Sequence, residues 1–331
     1  MAAWPDTRGP EDFRDRQSRN RRLSAWIVLI FLLFFLAVGL AVDYIYLGAF
    51  TPGGPEFPWM TVFALAAATA IAMTSYYHGS QMILRALGAE PLDIHIPEHR
   101  ELHNVVTEMA LASGCPMPKV FVIFDPAPNA LATGRDEASA SVCVTTGLLA
   151  LLNREETQGV IAHEVAHIRN QDILLMTLVS VLLGGVLLLS DWAQRSLSLS
   201  RSQRRPMGRN SVLVVVGLLL IVLSPVISRL LAMAVSRQRE YLADATGVEY
   251  TRNPLGLAKA LEKIRDAAMP FHKATRGTAH LFFVNPLRRR LDDREGHLAD
   301  LLSTHPPIAR RILLLYRMGG RVGGGSRGAL E

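Results

Sequence analysis

The chain has 331 residues, of which 50% are hydrophobic and only 19% are charged, and its mean hydropathy is +0.22. Soluble domains usually carry about 25% charged residues, so this composition excludes an ordinary soluble protein and a disordered one. The net charge of +6 indicates cations that flank a membrane rather than nucleic-acid binding. With only two cysteines, Cys115 and Cys143, a disulfide-rich scaffold and a cysteine-only zinc site are also excluded.

Four apolar runs without a charged residue dominate the sequence. Each run is close to the ~20 residues that a helix needs to cross the hydrocarbon core of a bilayer. They cover Ala25–Val42, Trp59–Tyr77, Ile173–Ser190 and Ser211–Ser228. The first two predict two transmembrane helices within residues 25–82, and the last two predict a membrane-embedded helical hairpin over residues 173–228.

The arginines predict the orientation of the chain in the membrane. Residues 1–24 hold six arginines, whereas the loop Leu47–Pro58 holds no lysine or arginine. By the positive-inside rule, the basic N-terminus is cytoplasmic and residues 83–172 return to the cytoplasm. Five arginines in residues 191–210 conflict with a full crossing of the hairpin, so whether it crosses stays open. Both alternatives leave residues 172 and 229 on the same side of the membrane.

The regions outside the apolar runs read as short, regular elements. Helical periodicity runs from Glu98 to Ser113 and stops at Gly114, and β-branched or alternating runs predict three short strands. The strands cover residues 119–124, 129–133 and 140–145, and further helices cover residues 255–264 and 308–317. We therefore expect a mainly α, membrane-integral protein with a small β-sheet and four hydrophobic helices. Its catalytic domain would combine residues 83–172 with 229–318, followed by a disordered tail over residues 319–331.

Residues 163–167 read His-Glu-Val-Ala-His and carry the strongest chemical signal. Asn153 with Glu156 is a plausible N-terminal capping pair, so the motif lies well inside a helix. Residues four apart lie on one helix face, so His163 and His167 can share one zinc ion. Glu164 is rotated by ~100° and is placed to act as general base on the attacking water. The alternative reading is two surface histidines beside a solvated glutamate.

A catalytic zinc ion needs a third protein ligand and one open position. Glu240 is the best candidate, and Asp244, four residues later on the same helix face, would hold a ligating imidazole. The alternative reading of this pair is a charged surface face, because arginines lie nearby. Gly247 is expected to end the helix, which disfavours Glu249 as a competing ligand.

The sequence around these residues resembles the HtpX-type membrane zinc metalloproteases, which are bacterial relatives of the CAAX prenyl proteases. HEVAHIRNQD leads into an apolar segment, and SRQREYLADATG follows a second one. NALATG at residues 129–134, VTTGLLALL at 144–152 and STHPPIARRI at 303–312 extend the similarity over residues 25–315. The resemblance implies a zincin-like catalytic domain of the gluzincin type and an active site that faces the cytoplasm. It also implies endopeptidase action on misfolded or damaged membrane proteins in the bacterial inner membrane.

Two further regions are candidates for substrate binding and catalysis. The strand Asn129, Ala130, Leu131, Ala132 and Thr133 is predicted to bind peptide as an added strand, the alternative being an ordinary hairpin strand. His305 precedes Pro306 and Pro307 and is either a helix-entry residue or a catalytic one. In the resembling family the matching segment lies near the metal, where His305 would donate to the tetrahedral intermediate or occupy the open metal position.

These residues predict a membrane-integral zinc endopeptidase with one zinc ion per chain. Its partners would be unfolded or membrane-protein polypeptides and the lipid bilayer, with no nucleic acid, and nothing in the sequence sets the oligomeric state. One alternative is a peptidase for lipidated C-terminal peptides, which needs an enclosed membrane chamber. Another is a non-catalytic zinc sensor or scaffold, which the intact Glu164 disfavours because a structural site has no use for a base beside the metal.

Overall fold

The computed structural model describes residues 13–49, 51–184, 186, 237–267, 269, 271, 278–284 and 306–320. The fourth apolar run, His305 and the tail from residue 321 lie outside the described residues. In chain order the helices are α1 (Phe13–Ala41), α2 (Trp59–Leu87), α3 (Pro97–Ser113), α4 (Thr146–Leu151), α5 (Arg154–Arg169), α6 (Asp172–Leu178), α7 (Arg237–Thr251), α8 (Pro254–Ala267) and α9 (Ile308–Met318). The strands are β1 (Ala89–Pro91), β2 (Lys119–Ile123), β3 (Ala130–Thr133) and β4 (Ser141–Thr145).

Within the described residues, two helices are long and apolar enough to cross a membrane, Ser18–Tyr44 and Trp59–Leu87. The first comprises most of α1 and a short π-helical turn, Val42–Tyr46, and the second is α2. Asp43 is buried in the turn and accepts hydrogen bonds from Thr61 N at 2.7 Å and from Met60 N at 3.1 Å. Because the first N–H groups of a helix lack partners within it, Asp43 fixes the start of α2 against the end of α1.

The third apolar run begins as α6 and a π-helical turn, Val179–Leu183, which lie against both α1 and α2. The apolar side chains that pack together here are buried: Ile27, Phe31, Ala68, Leu175, Leu178, Val179, Leu182 and Val186. Of the four hydrophobic helices expected, two candidate spans and the start of the third therefore lie within the described residues. The fourth does not, so the described part of the chain supports a bundle of three apolar segments.

The four strands form one mixed sheet in the order β1-β2-β4-β3. β2 and β4 are parallel, and the two outer strands are antiparallel to their neighbours. Ala132 lies opposite Val142 in the β3–β4 pair. The predicted small sheet is thus confirmed, and β3 forms one of its two ends.

The main hydrophobic core surrounds α5. Helices α3, α7 and α8 pack against it, and β3 lies across its other side. From Gly159 to Ile168 every residue of α5 is buried. The predicted helices at residues 98–113, 255–264 and 308–317 are confirmed, including the stop at Gly114, which has φ +69° where a glycine is favoured. The His-Glu-Val-Ala-His segment therefore lies within this core.

Candidate metal centre

The start of α5 is fixed by the pair that the sequence predicted. Glu156 N donates to the Asn153 side chain at 3.0 Å, and Asn153 N donates to the Glu156 carboxylate at 2.9 Å. Lys263 of α8 also contacts Glu156, with 2.7 Å between Nζ and Oε2. These reciprocal bonds satisfy N–H groups that the helix cannot. They set the register of α5, so that the chemically important residues point into the core.

Three candidate ligand atoms converge at one buried point between α5 and α7. The Nε2 atoms of His163 and His167 are 3.2 Å apart, and the carboxylate oxygens of Glu240 lie 3.8 Å and 3.6 Å from them. Ligands 2.0–2.1 Å from a tetrahedral zinc ion are separated by ~3.3–3.4 Å. The two Glu240 distances are to different carboxylate oxygens, Oε2 and Oε1, and all of these separations are close to that value. The three side chains thus fit a zinc ion without a change of fold, and two imidazoles with a carboxylate are a common ligand set for catalytic zinc.

Glu164 lies beside this cluster and not in it. Its side chain is buried and accepts a hydrogen bond from the N–H of Ala132 in β3. Burial raises the pKa of Glu164 to about 7, although His167 and Arg311 act in the opposite direction. A carboxylate with a pKa near neutral pH in this position can accept a proton from water and release it again.

A comparison with known protein families identifies the segment that carries these residues. The model of peptidase family M48 matches residues 97–318, which include both histidines, Glu164 and Glu240. The chain belongs to peptidase family M48. This membership confirms the predicted metalloprotease and the HtpX-type resemblance. An M48 enzyme requires a metal ion, typically zinc, and the cluster of His163, His167 and Glu240 is where the described residues can hold one.

Relatives of this M48 protease match it over nearly its whole length. A protease HtpX homolog of Caldanaerobacter subterraneus subsp. tengcongensis is 42% identical, covering 89% of this chain and 94% of the relative. One from Dictyoglomus thermophilum is 41% identical over 94% and 97% of the two chains. One from Streptococcus thermophilus is 36% identical over 92% and 99%. Among solved structures, S. mikatae Ste24p matches with a TM-score of 0.46 and 18% identity, covering 88% of this chain and 66% of that one.

The outer nitrogen of His163 contacts an ion pair that joins α7 to α9. Asp244 Oδ1 lies 2.9 Å from His163 Nδ1. Arg311 donates to both oxygens of Asp244, at 2.8 Å and 2.7 Å, and to the carbonyl of Phe283 at 3.2 Å. Burial lowers the pKa of His163, and the Arg311 charge adds to that effect. His163 is therefore held neutral, with Nε2 available to a metal.

The outer nitrogen of His167 contacts a second carboxylate, from the start of α6. Asp172 Oδ2 lies 3.3 Å from His167 Nδ1, and both side chains are buried. Burial alone would lower the pKa of His167, but the bond to Asp172 and the nearby Glu240 outweigh it, so the pKa is raised. A metal ion would displace that proton from Nε2, so metal binding is expected to release a proton.

Sequence reasoning missed Arg311 and Asp172. Both lie inside segments that carry the family resemblance, since Asp172 ends HEVAHIRNQD and Arg311 lies in STHPPIARRI. Helical spacing does not predict the contact between His167 and Asp172, because residues five apart on a helix point ~140° away from each other. The chain also leaves the helix between them, since α5 ends at Arg169 and Gln171 has φ +56°. No local signal marks Arg311, whose partner Asp244 is 67 residues away.

Gly247 was expected to end α7, and this expectation is wrong. The helix continues from Arg237 to Thr251. Gly247 instead packs closely against α5, where a Cβ atom would come within 3.0 Å of His163 N. Glu249 is exposed and lies outside the ligand cluster, although the helix does reach it.

The strand β3 lies at the end of the sheet, but part of its outer side is covered. Phe283 N donates to the Ala130 carbonyl at 2.8 Å, and the Asn129 amide bonds the backbone of Val284 through both of its polar atoms. The segment 282–284 thus runs along the first half of the predicted docking strand. Ala132 and Thr133 lie beyond it, but both are buried, and Thr133 Oγ1 lies 2.9 Å from Thr177 Oγ1 of α6. His305, the remaining predicted site residue, lies outside the described residues.

Proposed function

We propose that this membrane metalloprotease is a zinc endopeptidase with one zinc ion per chain. His163, His167 and Glu240 would hold the ion, and Glu164 would serve as the base. The observation that carries this proposal is the convergence of three ligand atoms within 4.8 Å of one another, beside a buried carboxylate that is not one of them. A structural site would need neither an open position nor a base.

The chain's own residues account for the chemistry expected at such a site. A bound zinc ion would polarise the scissile carbonyl and lower the pKa of water. Glu164 would take the proton of the attacking water and pass it to the leaving amine. Asp244 and Asp172 would keep both imidazoles oriented with Nε2 toward the metal. The backbone N–H of Ala132 would hold Glu164 in position between turnovers.

We propose that the substrate is an extended polypeptide that pairs with the Ala132–Thr133 end of β3. An added strand uses backbone bonds that ignore side-chain identity, which suits an enzyme for unfolded substrates. Asn129, Ala130 and Leu131, the rest of the predicted docking strand, face the segment 282–284. A longer pairing would therefore require that segment to move aside.

The membrane context supports substrates drawn from the bilayer. Only four residues separate His167 from Asp172, where α6 begins, and α6 packs against both candidate spans. A site this close to the membrane helices suits misfolded or damaged membrane proteins. The six arginines of residues 1–24 favour a cytoplasm-facing site in an inner membrane.

Purified full-length protein in detergent provides the test. With zinc, it should cleave an unfolded membrane protein at internal peptide bonds, with the sites read by mass spectrometry. Glu164→Gln should keep about one zinc per chain and lose cleavage, whereas Glu249→Gln, which changes an exposed carboxylate on α7, should retain both. Wild-type activity in Glu164→Gln would overturn the mechanism. Zinc binding without cleavage of any polypeptide would favour a sensor, and cleavage restricted to lipidated C-terminal peptides would favour the prenyl-protein alternative.

A further inference from the structure

Asn20 is a buried polar residue at the start of the first candidate membrane helix. Only 7% of its surface is exposed, although Arg19, Arg21 and Arg22 around it are exposed. A buried amide must find hydrogen-bond partners, because an unsatisfied one costs about 1–3 kcal/mol. The partners of Asn20 lie about 150 residues away in the chain, next to the metal cluster.

Both hydrogen bonds of Asn20 come from its amide nitrogen. Nδ2 donates to Asp172 Oδ1 at 2.6 Å and to the carbonyl oxygen of Asn170 at 3.2 Å. Each partner is only an acceptor, so the amide nitrogen, and not the oxygen, must face them. Both amide hydrogens are thereby used, and the side chain bridges the loop between α5 and α6.

Asp172 connects Asn20 to the candidate ligand His167. Its Oδ1 atom accepts from Asn20, while Oδ2 lies 3.3 Å from His167 Nδ1. Among the described residues, Arg239 also pairs with Asp172, but its Nε atom is 3.9 Å from Oδ1, beyond hydrogen-bond distance. The short bond from Asn20 therefore does most to fix the rotation of this carboxylate.

We propose that Asn20 is a positioning residue of the metal site, acting through Asp172 on His167. The first membrane helix would then be part of the catalytic apparatus as well as an anchor. This inference rests on the proposed function, since it takes His167 to be a metal ligand. It goes beyond it in assigning a role to a residue that lies in α1, outside the segment matched by the M48 family model.

Asn20→Asp is the sharpest variant, because it keeps the shape and removes both donors when ionised. In full-length protein in detergent, zinc retention against a chelator should fall about 10-fold or more, within the range typical of outer-shell losses. Asn20→Ser, which keeps one donor, should fall less. Ser18→Asp adds the same charge at an exposed position on the same helix and should bind zinc as wild type does. With Co²⁺ in place of zinc, the visible spectrum of Asn20→Asp should shift, and kcat should fall more than KM rises.

A double-mutant cycle separates positioning from a purely structural role. If Asn20 acts through Asp172, then Asn20→Ala should have almost no further effect on zinc retention in an Asp172→Ala background. Additive effects, or a lowered unfolding temperature with unchanged zinc retention, spectrum and kcat, would overturn the inference. If Asn20→Asp or Asn20→Ala does not remain monodisperse, Asn20→Ser takes its place, and the same outcomes support or overturn the inference. If the wild-type protein neither bound zinc nor cleaved the substrate, the proposed function itself would be refuted.

Discussion

His163 and His167 face the same point from one helix, yet their outer nitrogens are held by different regions of the molecule. His163 contacts Asp244, whose two carboxylate oxygens accept hydrogen bonds from Nε and Nη2 of the buried Arg311 of α9. His167 contacts Asp172, which is held by the neutral amide of Asn20 in α1. Because a buried ion pair is costly to break from one side only, the His163 side should tolerate substitution less than the His167 side. Five variants test the site and this difference within it, in order of their expected effect.

Glu240→Ala should have the largest effect, since its carboxylate faces both histidines. Loss of a ligand should weaken zinc retention by more than the roughly 10–100-fold typical of residues behind the ligands. Chelator competition on purified protein measures this. Glu249→Ala on the same helix is the control and should retain zinc; the reverse result would make Glu249 the ligand.

Arg311→Met should come next, because it leaves the buried Asp244 carboxylate without its cation. Breaking one partner of a buried pair typically costs about 3–5 kcal/mol, so the free energy of unfolding should drop by that order. Denaturant unfolding in detergent measures it, alongside zinc retention. The exposed neighbour Arg310→Met should change stability by less than about 1 kcal/mol. An equally small loss at Arg311 would show that the ion pair does not hold the His163 side.

Asp244→Asn and Asp172→Asn compare the two sides directly. Each should weaken zinc retention by about 10–100-fold. Asp244→Asn should lie at the high end, because the amide also loses the charge that Arg311 requires. The same chelator assay measures zinc retention in both variants. Equal losses of zinc retention would show that the two histidines do not differ in this way.

Ala132→Pro should leave both histidine contacts intact and zinc bound. The N–H of Ala132 points away from β4 and toward Glu164, so proline removes that donor without breaking the β3–β4 ladder. KM should rise or turnover should stop, measured with zinc content on the same sample. Because the same N–H contacts Glu164, a raised KM supports docking at β3, whereas a lowered kcat with unchanged KM reports on the base. Unchanged cleavage would move substrate docking to another part of the molecule.

The sequence predicted the parts of this site that depend on local spacing. The i,i+4 rule predicted that His163 and His167 share a helix face, and the capping pair predicted where α5 begins, as the structure has them. Partners joined only by the tertiary fold were not predictable: Arg311 is 67 residues from Asp244, and Asn20 is 152 residues from Asp172. Nothing in a single sequence records which distant segments meet.

The helix end predicted at Gly247 was wrong, and the prediction for β3 did not include the segment that covers it. The two shortcomings have related causes. A glycine near the expected end of a helix is typical of a C-terminal cap, but here close packing against His163 requires it. An alternating strand predicts a sheet position but not its outer neighbour, so the cover from residues 282–284 was invisible. In both cases the deciding contact comes from another element.

The enclosure of α5 has a consequence for the natural variation of this enzyme. Between Gly159 and Ile168 every side chain is buried, so a change in volume at any of these positions would disturb packing as well as chemistry. Evolutionary drift in this stretch would therefore be limited even at residues that never approach a substrate. An unchanged His-Glu-Val-Ala-His segment in an inactive descendant would then be evidence for a preserved core, and not for preserved proteolysis.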